Sequence, residues 1–487
     1  MKKHLLPICL SLLFTVPAPP AAAAAIELPS IGDPSGSIIS PDQERHLGEA
    51  FMRNVRRQLK VIDDPLVNEY IQSLGYQLVS NSNDQTRNYT FFVVQDSSVN
   101  AFAAPGGFIG VHSGLILTTE SESELAAVLA HEIAHVTQRH MARTYEAAQQ
   151  MSVPMAAAVL AAILLGVHDP QLGSAAIAAA SAGSAQYQIN FTRSNEQEAD
   201  RIGIDILARS GFDPRSMPIF FERLQQSSRY YGNNFPEFLS THPVTINRIA
   251  ESTDRAEQYP RQRYTDSLGY RLTRARLLVL TEEDPHKAVE IFQARLKAGK
   301  NAQDEDAARY GYALALLAAS KHDAARTEIQ RLHKKDPDRI AYRIASAEIE
   351  LAAGNHQASR DIFLDSLELY PDNYPLTLHF AEALLRMGAP QRAHELLQRF
   401  VRNREPNIEV YRLLARTATE AGHPVEAHRS MAEYYYLNGQ IKAAIEQLTL
   451  ALRTANDFYQ SSRIEARLQQ LKEEAALDPR ATSELKQ

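Results

Sequence analysis

Two histidines and a glutamate carry the first chemistry in this 487-residue chain: His131-Glu132-Ile133-Ala134-His135, an H-E-x-x-H pattern. On an α-helix, positions i and i+4 lie on one face a turn apart, so both imidazoles can reach one Zn²⁺ at about 2.0–2.1 Å with Glu132 beside it. A catalytic zinc needs a third protein ligand and an open fourth position. His140, five residues past His135, is predicted to be rotated about 140° away on a continuous helix. The continuation with a third histidine on the same motif also fails, since Gln138 stands where glycine and Met141 where histidine would be required. Asn195-Glu196-Gln197-Glu198-Ala199-Asp200 supplies a carboxylate instead, with Glu196 and Asp200 on one helical face and Glu198 turned about 200° from Glu196. Glu196 is assigned to zinc. Asp200 is assigned to the layer behind it, where a carboxylate orients a ligand imidazole through its other nitrogen. The cofactor expectation is one Zn²⁺ per chain.

These residues need elements to hold them. Ser121 with Glu124 forms a capping box ahead of Leu125, Val128 and Leu129, and the helix it opens is predicted to run to about Tyr145. Glu196 and Asp200 open a second amphipathic helix through Ile202, Ile206 and Leu207. Upstream, residues 42–79 carry apolar positions at helical spacing and predict two helices broken near Asp63-Asp64-Pro65. Tyr89–Val94 and Phe108–Val111 read as strands around Pro105-Gly106-Gly107, giving a hairpin or small sheet. The segments Val99–Phe102 and Phe108–Val111 could offer a sheet edge to which an extended substrate adds a strand. His242, followed by Pro243, suits either a donor to a tetrahedral oxyanion or a reversible fourth zinc ligand that keeps the site latent. His112 has no metal-spaced neighbour and reads as structural.

Composition bounds the setting. The chain is 44% hydrophobic and 22% charged with a net charge of -7, which excludes a disordered chain and removes the electrostatic footprint of a general nucleic-acid binder. The single cysteine, Cys9, rules out an intramolecular disulfide and thiolate metal clusters. Lys2 and Lys3, an apolar run from Leu5 to Val16, and the alanines to Ala25 form the pattern of a cleaved secretory signal peptide over residues 1–25. The run is too short to span a bilayer, so the product is expected to be soluble or peripheral, with a bacterial periplasm the best-suited compartment. Residues 151–182 are rich in alanine and nearly uncharged. They read either as two small-residue helices packed in a core or as a mobile helical hairpin that faces a membrane peripherally or covers the site.

Beyond residue 262 a repeat appears. Gly354, Gly388 and Gly422 are 34 residues apart with Ser320 one period earlier, and each is followed five residues on by Ala325, Ser359, Ala393 or Ala427. Pro337 and Pro371 share the period, and these marks resemble tetratricopeptide repeats, four to five units over 262–471. Such an array presents a concave surface for peptide or protein partners.

The H-E-x-x-H motif, Glu196-x-x-x-Asp200 and the upstream Asn100-Ala101-Phe102-Ala103-Ala104-Pro105-Gly106-Gly107 together resemble the M48 metallopeptidases. The export signal and repeats point to that family's periplasmic branch. The resemblance implies a mainly α protein: a gluzincin-like α+β metalloprotease domain with a small sheet over 26–261, then an α-solenoid of tetratricopeptide-like repeats over 262–487. It implies that Glu132 is the general base of a zinc endopeptidase. It also implies work with the outer-membrane β-barrel assembly machinery on unfolded or misassembled clients, including the lipopolysaccharide-export barrel protein. The competing reading is a non-proteolytic chaperone or adaptor that acts through its repeats and carries a structural or latent zinc site.

Overall fold

The structure, a computed structural model, describes residues 40–84, 88–149, 185–230, 237–299 and 301–477. The expected signal peptide and the alanine-rich stretch 151–182 lie outside these residues. Helix α1 (Pro41–Gln58) starts at a capping box between Ser40 and Gln43, and α2 (Pro65–Val79) starts where the Asp64 carboxylate accepts from the Val67 N–H. The expected break between them also contains a two-residue strand, β1 (Val61–Ile62). Strands β2 (Thr90–Val94), β3 (Ala101–Ala104) and β4 (Phe108–His112) complete a sheet of order β1-β2-β4-β3. Tyr89–Val94 and Phe108–Val111 do share a small sheet, but as the parallel neighbours β2 and β4 and not as a hairpin; the hairpin joins β3 and β4.

The hairpin turn needs its glycines. Gly107 has φ 81°, and a Cβ there would stand 2.5 Å from the Asn88 carbonyl oxygen. The strand order corrects one expectation: β4, containing Phe108–Val111, lies inside the sheet, so of the two segments only β3 lies at an edge.

After α3 (Ser113–Thr118), helix α4 (Glu122–Thr137) carries the H-E-x-x-H motif. Ser121 caps it by accepting from the Glu124 N–H. Nearly every side chain of α4 is buried, against Ile71 and Leu78 of α2 and against α6 (Ala185–Arg209), which carries Glu196 and Asp200. Gly203 on α6 allows that approach, since a Cβ there would stand 3.2 Å from the His131 backbone nitrogen. The expected run of α4 to Tyr145 is not observed. Arg139 adopts φ 52°, a left-handed conformation that ends the helix, and α5 (His140–Gln149) departs in a new direction. Helices α7 (Ser216–Tyr230), α8 (Glu237–Thr241) and α9 (Ile246–Ala256) close the site from the far side.

The remainder is a helical array. Its elements are α10 (Leu268–Thr281), α11 (Pro285–Ala298), α12 (Ala302–Ala318), α13 (His322–Lys335), α14 (Ile340–Ala352), α15 (His356–Leu369), α16 (Tyr374–Arg386), α17 (Pro390–Phe400), α18 (Ile408–Ala421), α19 (Pro424–Leu437), α20 (Ile441–Thr454) and α21 (Phe458–Leu477). These form six helix pairs among the described residues, where the 34-residue marks indicated four to five. α10 and α11 join through Glu282, and α20 and α21 through Ala455, without the left-handed residue that marks the other four turns. Gly354, Gly388 and Gly422 all have φ between 72° and 82°, and Ser320 at the equivalent place has φ 59°. Each ends the first helix of its pair. Ala325, Ser359, Ala393 and Ala427 are buried where the paired helices approach.

The array is fastened to the first part of the chain. Tyr270 and Leu277 of α10 enter the core that contains α4. Arg276 forms a buried ion pair with Asp64 at 2.7 Å, and Arg53 of α1 pairs with Glu474 of α21 at 2.6 Å. Among the described residues no helix is long and apolar enough to cross a membrane.

Candidate metal centre

The middle of α4 is apolar on its neighbours' sides, with Leu129 and Ile133 fully buried, and this seats the two histidines rigidly. His131 and His135 point their Nε2 atoms at one spot, 3.0 Å apart. Glu196 reaches the same spot from α6, 3.4 Å from each of those nitrogens. His242, just past the end of α8, completes the group: its Nδ1 lies 3.3 Å from His131 Nε2 and 3.1 Å from both Glu196 oxygens. One donor atom from each of the four residues falls within a 4.8 Å cluster. His135 is the most exposed member, so the centre opens on its side.

Behind these atoms is a layer of charge. Asp200 Oδ1 lies 3.0 Å from His131 Nδ1 in a bent approach, leaving Nε2 for the cluster. Asp200 accepts two hydrogen bonds of 2.7 Å from Arg248 on α9, whose third nitrogen lies 2.9 Å from Glu196 and also donates to the Pro243 carbonyl. Arg248 thus ties α9 to both carboxylates and to the segment that carries His242. On His135 the other ring nitrogen, Nδ1, lies 2.9 Å from His140 Nδ1, and His140 Nε2 lies 3.2 Å from Glu198. Sequence reasoning placed His140 on the far side of a continuous helix. The turn at Arg139 brings it back.

Electrostatics follow from this packing. Burial would depress the His131 pKa, but the Asp200 and Glu196 carboxylates outweigh it and raise it to about 9. His135 is pushed well below the ordinary value by burial, against the pull of Glu196. Burial also takes His140 down to about 4, against its Glu198 contact. Glu196 resists its own burial because His242 and His131 favour its charged form and hold it well below the usual carboxylate range.

The group fits a zinc ion on its donor chemistry, being three imidazoles and one carboxylate with donor atoms within 4.8 Å of one another. Glu132 adds a second sign. It is buried, its Oε1 has no hydrogen-bond partner among the described residues, and His242 Nε2 lies 3.5 Å from it. A buried carboxylate oxygen without a protein partner costs free energy that a purely structural role would not require.

Comparison with known proteins agrees with this geometry. The model of peptidase family M48 matches residues 65–256, the span holding all four convergent residues, and a tetratricopeptide repeat model matches residues 350–417. The beta-barrel assembly-enhancing protease of Escherichia coli K12 is 36% identical over 458 residues, which cover 94% of this chain and 93% of that one. A Vibrio cholerae protein provisionally given the same name is 40% identical over 95% of this chain and 96% of its own length. The chain belongs to peptidase family M48. It is a metallopeptidase with C-terminal tetratricopeptide repeats, and the mainly helical fold with a small four-stranded sheet is the one expected. More distantly, the mitochondrial metalloendopeptidase OMA1 of Arabidopsis thaliana is 28% identical over 216 residues, 44% of this chain and 41% of that one.

Against this family background, the structure brings His131, Glu132, His135, Glu196, Asp200 and His242 together as one site. Arg248 was not found from sequence. Its only local signal is an arginine two residues into a helix that follows Thr241-His242-Pro243, which does not by itself point across to Asp200.

Proposed function

We propose that the chain is a zinc endopeptidase of the bacterial periplasm that acts on outer-membrane β-barrel proteins during their assembly, degrading misassembled clients, and that its resting site is latent. The convergence of His242 with His131, His135 and Glu196 carries the latency, because four protein donors leave a zinc ion no open position. The relatives' names carry the link to β-barrel assembly, and the export pattern of residues 1–25 supports the compartment. By domain, 26–261 is read as the peptidase and 262–487 as the repeat array that docks clients or an assembly machine.

His131, His135 and Glu196 would hold the metal throughout, and His242 would be the exchangeable donor. What zinc supplies when bound is Lewis acidity, which polarises a scissile carbonyl and acidifies water. Glu132 takes a proton from the attacking water at its unpartnered Oε1 and hands it to the leaving amine. Asp200 keeps His131 in the tautomer that leaves Nε2 free to bind metal, and Arg248 keeps Asp200 charged and in place. Of the two roles read from sequence for His242, the exchangeable ligand is the one taken, because its Nδ1 lies among the metal donors.

The test is degradation of a misassembled outer-membrane β-barrel precursor by the purified full chain. The wild-type chain is expected to degrade it and Glu132→Gln to bind without cleaving. Client maturation that proceeds equally well with Glu132→Gln, with no cleavage by either protein, would replace this reading with a chaperone whose zinc site is structural.

A further inference from the structure

The segment that carries His242 is anchored at its other end, away from the metal centre. The Phe238 N–H donates to the Val99 carbonyl at 3.0 Å, immediately ahead of β3, the sheet's outer strand. One residue earlier, Glu237 Oε2 accepts from the Ser98 hydroxyl at 3.0 Å, and Ser98 Oγ lies 2.8 Å from His112 Nδ1. A serine has one hydroxyl proton. With that proton given to Glu237, the His112 contact needs Nδ1–H as the donor.

The order is therefore His112 Nδ1–H to Ser98 Oγ–H to the Glu237 carboxylate, a relay whose last bond is charge-assisted. His112 is buried at the end of β4, and burial lowers its pKa against the pull of Asp96 Oδ1 3.8 Å away, which favours the neutral ring. Ser98 is fixed in turn by its own N–H, which donates to Asp96 Oδ1 at 2.7 Å. His112, read from sequence as structural, thus belongs to the support of the site.

Helix α8 has only five residues and little cohesion of its own. Its position depends on what it touches, including the core through Phe238 and Leu239, with the Phe238 ring stacked on His242 at a centroid distance of 4.7 Å, and the sheet through Glu237 and the Phe238 N–H. The same short segment therefore occupies two places that a substrate needs. His242 takes the metal position, and Phe238 takes the backbone acceptor at the mouth of the β3 edge.

We infer that Ser98 and Glu237 form a clasp that sets whether His242 sits in the metal position, and that releasing it frees the Val99 carbonyl for an extended polypeptide adding to β3. The inference rests on the reading of His242 as an exchangeable donor. Ser98 and Glu237 are positioning residues, since neither touches the reacting atoms. Substrate and clasp compete for one edge, so client binding along β3 and opening of the metal position are the same event.

The experiment uses the full chain loaded with zinc, casein as substrate, and the variants Ser98→Ala, Ser98→Thr, His242→Ala and the Ser98→Ala/His242→Ala double. Removing the clasp is expected to raise kcat/KM about tenfold, the factor that one hydrogen bond to a charged group is worth. Ser98→Thr, which keeps the hydroxyl, should return activity to the wild-type level. In the double variant the clasp has nothing left to hold, and no gain over His242→Ala is expected. Hydrogen exchange gives a readout independent of activity: the Phe238 and His242 amides should exchange about tenfold faster in Ser98→Ala.

If His242→Ala activates while Ser98→Ala leaves both cleavage and exchange unchanged, the clasp is wrong and the latency reading stands. If His242→Ala fails to activate, the latency reading falls and takes the clasp with it. Should Ser98→Ala not fold, Glu237→Gln, which keeps an acceptor but loses the charge, is expected to speed exchange severalfold at the same two amides; no change there overturns the clasp.

Discussion

Asp200 is gripped by Arg248 through two hydrogen bonds of 2.7 Å, and its Oδ1 lies 3.0 Å from His131 Nδ1. The fork holds the carboxylate where it can fix the imidazole's orientation about its two side-chain bonds, in addition to the packing around the ring. Asp200→Asn keeps the size but removes the charge and leaves Arg248 buried beside one carboxylate instead of two. Zinc affinity is expected to fall about 10- to 100-fold. Competition with a chelator measures it, and an unchanged affinity would mean that His131 is held by packing alone.

The contact between α4 and α6 is set by a residue with no side chain. A Cβ on Gly203 would stand 3.0 Å from Met217 Cε and 3.2 Å from the His131 nitrogen. Methionine can move, whereas the backbone of a helix buried on all sides cannot. Gly203→Val is expected to destabilise the fold by about 1–3 kcal/mol and to weaken zinc binding by drawing Glu196 away from the histidines. Thermal unfolding with and without zinc reads both effects; a normal melting temperature would show that α6 can shift without cost.

The junction between peptidase and repeats should make the protein acid-sensitive. Asp64 caps α2 and pairs with the buried Arg276, and although burial opposes it, Arg276 holds the Asp64 carboxyl below its ordinary value. A carboxylate with a depressed folded-state pKa adds stability above its unfolded value of about 3.9, and that stability is lost as pH falls through the lower folded value. Asp64→Asn keeps the cap but breaks the pair, with an expected cost of about 3–5 kcal/mol at neutral pH. The variant should also lose less stability than the wild type below about pH 4. Denaturant unfolding at pH 7 and pH 3.5 tests this, and parallel losses in the two proteins would show that Asp64 is not the group that titrates.

What could be read from sequence was local or periodic. The H-E-x-x-H helix, its Ser121 cap and the Glu196/Asp200 face depend on neighbours within a turn or two, and the repeat marks depend on a fixed 34-residue period. The misses have long-range or conformational causes. Nothing in Gln138-Arg139-His140 announces a left-handed arginine, so the return of His140 to His135 was invisible. Arg248 meets Asp200 across 48 residues of chain, and the Ser98–Glu237 contact spans 139. Strand order was equally hidden, because Phe108–Val111 looks the same by composition whether it lies inside a sheet or at its edge.

If a latent zinc peptidase works through Glu132, casein cleavage in the His242→Ala background shows it most directly. With one zinc per chain confirmed in each protein, His242→Ala is expected to cleave and His242→Ala/Glu132→Gln to lose about 10²–10⁴-fold in rate. Cleavage that persists in the double variant at the rate of the single one would contradict the assignment of Glu132 as the base.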